Sequence, residues 1–120
     1  MKQIFALLFS VTQIVQCETI EVTYSKNVTA QIGDTIIIRL RENPTTGYSW
    51  QMDIPETEAV KLQEDAYVAP DTNLVGAGGI HKWQLKVTTS GTVKITGTYC
   101  RPWKKNMSPA RRFECKITVQ

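Results

Sequence analysis

Apolar and polar residues take turns along most of this chain. Ile20, Val22 and Tyr24 lie two apart, as do Val28, Ala30 and Ile32. Gly33-Asp34 breaks the rhythm as a turn, and Ile36, Ile38 and Leu40 resume it. Tyr48, Trp50 and Met52 follow a bend, Val60 and Leu62 make a short segment, and Trp83, Leu85 and Val87 make another. Ser90-Gly91 turns the chain back, Val93, Ile95 and Tyr99 follow, and Phe113, Cys115, Ile117 and Val119 close the pattern. Side chains alternate between the two faces of a strand, so a period of two, with no window of ten or more residues at helical period, predicts β-strands throughout. Seven or eight short strands in about 100 residues predict an all-β sandwich or barrel, of which the immunoglobulin-like β-sandwich is the expectation. Three stretches stand outside the alternation and are expected as loops: 43–48, 64–79 and 101–110. Loops of the latter lengths are uncommon in a compact domain unless they carry function.

The first 17 residues follow a different logic. One early cation, Lys2, precedes an apolar run from Ile4 to Val15, and Val15-Gln16-Cys17 supplies acceptable residues before a cut. That is the layout of a secretory signal peptide cleaved after Cys17, and the run is too short to span a bilayer. A buried N-terminal strand is the plainer alternative, and a lipid anchor on Cys17 is disfavoured by Gln16. The domain proper is then 18–120, with no membrane in its mature form. Its destination is the secretory pathway: lysosome-like vesicles, phagosomes or the exterior.

The whole chain carries a formal charge of +3. The expected cut removes only Lys2 among the charged residues, leaving +2, too little for a strong general pull on polyanions. Secretion permits a disulfide between Cys100 and Cys115, but the parities oppose it. Tyr99 shares the inward face with Val93 and Ile95, which leaves Cys100 on the other face, whereas Cys115 faces inward. A bridge would need a bulge or a displaced loop end, and the pairing stays open. Asn27 and Asn106 head glycosylation sequons, the second weakened by Pro109.

Catalysis finds little support. His81 is the one histidine, and a Cys–His pair lacks a third, orienting group at any recognisable spacing. Two thiols and one imidazole leave a four-ligand metal site incomplete. His81 is therefore expected as a solvated or capping residue, with no enzyme activity and no cofactor. Gly76-Ala77-Gly78-Gly79 precedes a strand, whereas a phosphate cradle follows one and opens a helix. It reads instead as a hairpin-end loop, or as bare backbone that lets a partner come close. Lys104, Lys105, Arg111, Arg112 and Lys116 form a basic cluster with few interleaved aromatics, which argues against nucleic acid and fits steering toward an acidic partner. Arg101-Pro102-Trp103 opens a long loop with the residue types that dominate binding hot spots. The plainer reading folds Trp103 back over the end of the sandwich.

The ordered triple NPTTGYSW, GAGG and RPW resembles the chagasin family of inhibitors of papain-like cysteine peptidases, and the likeness runs over essentially the whole mature chain. It implies three neighbouring loops at one end of an immunoglobulin-like sandwich. Asn43, Pro44, Thr45, Thr46, Gly47 and Tyr48 would enter the active-site cleft of the peptidase. Gly76, Gly78 and Gly79 would lie on one side, and Arg101, Pro102 and Trp103 on the other. The partner implied is a papain-like cysteine peptidase, bound tightly and reversibly by a monomer. A secreted adhesion or recognition module on the same fold is the alternative. Pro44 fixes its own φ and restricts Asn43, and Gly47 permits a positive φ, so a compact preformed bend is expected here.

Overall fold

The computed structural model describes residues 17–55, 57–70, 78–104 and 108–120. Among these residues eight strands form two four-stranded sheets packed face to face, an immunoglobulin-like sandwich. The strands are β1 (Thr19–Val22), β2 (Lys26–Ala30), β3 (Thr35–Glu42), β4 (Ser49–Asp53), β5 (Val60–Val68), β6 (Gly79–Val87), β7 (Gly91–Cys100) and β8 (Arg111–Val119). One sheet has the order β1-β3-β6-β5 and the other β2-β8-β7-β4.

The alternation seen in the sequence is the alternation of burial. Ile36, Ile38, Trp83, Leu85, Ile95 and Ile117 meet between the sheets almost without exposure, each contributing roughly 1.5–3 kcal/mol of apolar burial. The first apolar stretch divides in two. β1 runs parallel to β3 in one sheet, and the chain then crosses so that β2 runs parallel to β8 in the other. Tyr24 lies in that crossing and is exposed, so it does not continue the first strand as its spacing suggests.

One expectation needs correcting, and one open question closes. The stretch 64–79 does not begin as a loop, because β5 continues to Val68. β5 is an edge strand with most of its residues exposed. Its register slips between Leu62 and Glu64, and a slip of one residue exchanges the two faces. Exposure and the slip together erase the apolar rhythm. The disulfide is also absent: Cys100 and Cys115 are both free. Cys115 pairs with Ile95 across the β7–β8 ladder, five residues from Cys100. At about 3.3 Å per residue this separates the thiols far beyond the roughly 7 Å that a disulfide spans between Cα atoms. Burial pushes the Cys115 thiol up to about 11, against a smaller opposing pull from Lys26. Asn27 is exposed on β2, while Asn106 lies outside the described residues, as do positions 1–16 of the expected leader.

Three strand connections gather at one end of the sandwich. The register sets Glu42 at the end of β3 opposite Gly79 at the start of β6. It sets Ser49 at the start of β4 opposite Cys100 at the end of β7, and Tyr99 opposite Arg111. The strand ends that lead into 43–48, 69–78 and 101–110 therefore lie together.

Candidate functional site

The bend at 43–48 is a single 3-10 turn, Pro44–Thr46, and its own short-range bonds hold it. Asn43 is extended at φ −125°, as a residue before proline should be, and Pro44 opens the turn. The Asn43 carboxamide oxygen accepts from the Thr45 amide at 3.2 Å and from the Thr45 hydroxyl at 2.6 Å. The Asn43 carbonyl accepts from the Thr46 amide at 3.1 Å and from its hydroxyl at 2.7 Å. Gly47 closes the turn at φ 84°, donating its amide to the Pro44 carbonyl at 3.0 Å. An L-residue with a side chain resists that conformation, which glycine adopts freely.

Aromatic and cationic groups brace the bend from behind. The Tyr99 hydroxyl oxygen accepts from the Asn43 amide at 3.0 Å. The Tyr99 ring packs against Tyr48 at 5.4 Å and Trp50 at 5.1 Å between centroids. Arg101 Nε donates to the Thr46 carbonyl at 3.2 Å, and its guanidinium lies 4.7 Å from the Tyr48 ring centre. Trp103 reaches the same bend. A Cβ added to Gly47 would sit 2.6 Å from Trp103 Cη2, so glycine is needed there for space as well as for φ. Trp103 nevertheless stays 64% exposed; it leans on the bend without being folded away.

The glycine segment touches the other flank. A Cβ on Gly78 would lie 3.1 Å from the Glu42 carbonyl oxygen and 3.2 Å from Asn43 Cβ. One on Gly79 would overlap the Val68 carbonyl oxygen and come within 2.7 Å of the Tyr67 hydroxyl. These two glycines let β5, β6 and the root of the bend close on one another. The sequence-predicted residues Asn43, Pro44, Thr45, Thr46, Gly47, Tyr48, Gly78, Gly79, Arg101 and Trp103 are thus brought together, with Pro102 between the last two. Gly76 lies outside the described residues.

His81 is not the solvated or capping residue that its position between glycines and strand suggests. It lies within β6, stacked on Trp83 with ring centres 4.0 Å apart and planes 1° from parallel. Its Nδ1 is 2.9 Å from Glu42 Oε1, and its Nε2 is 2.5 Å from Asp65 Oδ1. Glu42 Oε2 accepts from the Trp50 amide at 2.7 Å, and the Trp50 indole donates to the Arg41 carbonyl at 2.9 Å. A buried glutamate, 5% exposed, is tolerable only when its oxygens are bonded in this way. The network ties β5, β6, β3 and β4 together at the root of the bend. Sequence reasoning missed it, although an acidic residue on the inward parity of β3 was a usable signal.

Among the described residues no thiol stands beside His81: Cys115 packs inside the core, and Cys100 ends β7 in the other sheet, within reach of the Thr98 hydroxyl. No group of three or more ligating side chains suited to a metal occurs among the described residues. The arrangement is instead a rigid, internally bonded projection with exposed Trp103 at its side.

Comparison with known proteins gives a consistent result. A family model, chagasin family peptidase inhibitor I42, matches residues 29–117. Chagasin of Trypanosoma cruzi is 33% identical over 90 residues, covering 72% of this chain and 82% of that protein. Amoebiasin-2 of Entamoeba histolytica is 36% identical over 89 residues, 72% of each chain. The crystal structure of a cysteine protease inhibitor from Entamoeba histolytica superposes with a TM-score of 0.80 at 29% identity, covering 89% of this chain and all of that one. The chain belongs to the chagasin family of peptidase inhibitors.

Proposed function

We propose that this inhibitor blocks papain-like cysteine peptidases by seating the bend Asn43–Tyr48 in the active-site cleft, flanked by Gly78-Gly79 on one side and Arg101-Pro102-Trp103 on the other. A substrate of such an enzyme is held extended, its backbone groups free to bond to the cleft walls. The bend cannot be held in that way. The Asn43 carbonyl is occupied by two donors, that of Pro44 by Gly47 and that of Thr46 by Arg101. Its turn geometry also denies the catalytic thiolate an extended scissile bond. The inhibitor therefore fills the cleft without becoming a substrate.

The observation that carries this reading is the internally bonded bend, backed by Tyr99 and Arg101. A loop already ordered in free solution loses little entropy on binding. Protease–inhibitor interfaces of ordinary size, about 1,600 Å², then rank among the tightest known. Trp103, half out of its own domain, supplies the aromatic anchor that hot spots favour. The leader-like first 17 residues support a route through the secretory pathway, where such peptidases can be met in vesicles or outside the cell.

The test is an equilibrium titration of active-site-counted papain, following hydrolysis of a fluorogenic peptide. A linear fall to zero at one inhibitor per enzyme, reversible on dilution and with the inhibitor uncut, is the expected result. Full activity at large excess, or progressive cleavage within 43–48, would refute it.

A further inference from the structure

We propose that the binding end carries a collar of unpaired cations that selects peptidases whose cleft walls are acidic. The inference rests on the inhibitor reading above and adds to it the chemistry of the preferred partner.

Four cations bracket the bend. On one flank Arg41, the penultimate residue of β3, and Arg111, the first of β8, line a single cavity of about 240 Å³ with Asn43, Gly78 and Gly79. On the other flank Arg101 and Lys104 line a hollow beside Tyr48. None of the four joins an ion pair among the described residues. The pairs there are Arg39–Glu21, Lys82–Glu64 and Lys94–Glu114, while His81 hydrogen-bonds Glu42 and Asp65. Glu42 also lines the Arg41–Arg111 cavity, but its two oxygens are already bonded to His81 and to the Trp50 amide. Its one carboxylate stands against two guanidiniums, so the described lining of the hollow stays net cationic. Arg111 is held near the site by the Tyr99 ring, 6.0 Å away.

The collar is local. The chain as a whole is only +3, so the concentration of unpaired cations around one bend is what distinguishes this end. Screening limits an exposed charge to about 8 Å at physiological salt, which is the range of the cleft walls once the bend is seated. A guanidinium presents a planar fork that matches a carboxylate. The partner feature that fits is therefore an aspartate or glutamate on each wall of the cleft, above all one able to enter the Arg41–Arg111 hollow.

Stopped-flow association with two papain-type peptidases, one of acidic and one of basic net charge, tests this with the full chain. Between about 20 and 300 mM NaCl the on-rate for the acidic enzyme should fall roughly tenfold, with little change for the basic one. The double variant R41Q/R111Q should lose most of that low-salt advantage while keeping its one-to-one end point. The control K94Q/K116Q removes the same charge from the outer face of the β7–β8 ladder and should behave as wild type. Equal salt slopes for the two enzymes, or equal losses in both double variants, would overturn the collar. If heparin binding instead vanishes in R41Q/R111Q, those arginines serve a sulfated glycan and the proposal fails. A wild-type chain that leaves both enzymes fully active at equilibrium would overturn the inhibitor reading itself, and the collar with it.

Discussion

Gly47 meets two demands at once, and replacing it with alanine separates them. Its φ of 84° lies in the left-handed region, where an L-residue costs about 1–2 kcal/mol. The new Cβ would stand 2.6 Å from Trp103 Cη2 and 3.1 Å from Cζ2, well inside the roughly 3.5–4.0 Å of a good carbon contact. Trp103 is exposed enough to swing aside, so relieving the clash sacrifices its contact with the bend, about 0.5–1 kcal/mol of packing. Together the losses reach about 1.5–3 kcal/mol. Strain kept in the free loop appears in folding, at roughly 4–8 °C of Tm per kcal/mol for a domain of this size. Strain released by rearrangement of the free loop appears instead in Ki, at tenfold per 1.4 kcal/mol. The prediction is that the stability and binding losses of Gly47→Ala sum to about 1.5–3 kcal/mol, up to roughly 150-fold in Ki if all of it falls on binding. In a Trp103→Ala background the clash is gone and the same substitution should cost only the φ component, about 1–2 kcal/mol. Papain titrations and thermal melts on the four proteins of this cycle measure both quantities. Wild-type Ki and Tm in Gly47→Ala would show that neither the φ of Gly47 nor the Trp103 contact constrains the bend.

Trp103→Ala alone should weaken papain inhibition by about 2 kcal/mol or more, roughly 30-fold, while Tm falls only by about 2–8 °C, the worth of its contact with the bend, because the side chain is 64% exposed; an unaltered Ki removes it from the interface. Gly79→Ala drives a methyl into the Val68 carbonyl and should cost about 1–3 kcal/mol of stability, seen as a lower urea midpoint at unchanged slope. For Cys115 the folded protein holds a proton that the unfolded chain releases near pH 9.0, since burial raises the thiol to about 11. Its contribution to stability is complete below pH 9 and is lost as pH rises toward 11. The same burial should leave Cys115 unlabelled by iodoacetamide at pH 8 in the native protein, while half-buried Cys100 reacts and denaturation exposes both. Labelling of native Cys115 at the rate of Cys100 would contradict its place in the core.

How far the molecule can be read from its sequence varies with the range of the interactions involved. β3, β6, β7 and β8 were legible because each packs one face on the core, and Ile36, Ile38, Trp83, Leu85, Val93, Ile95 and Ile117 record that face directly. The outer half of β5 was not, since an edge strand exposed along most of its length and slipped at Leu62/Glu64 has no single buried face to record. The bend announced itself through Pro44 and Gly47, whose effects are local. What lay beyond reach was its support. The Asn43–Tyr99 bond joins residues 56 apart in sequence, and Arg101 to Thr46 spans 55. His81 shows the same limit: taken alone it looked like a surface residue, and only the register of three strands brings Glu42 and Asp65 to its two nitrogens. The cysteines were half legible. Parity opposed a bridge, and the β7–β8 register then showed how distant the two thiols are.

Whether the bend itself lies in the cleft is decided by a crystal structure of the chain bound to a papain-like peptidase. The predicted result sets Thr45-Thr46 in van der Waals contact with the catalytic cysteine, the 3-10 turn unchanged and Trp103 packed on the enzyme. A peptidase docked on an outer sheet face, or on the end of the sandwich opposite Asn43–Tyr48, would contradict it.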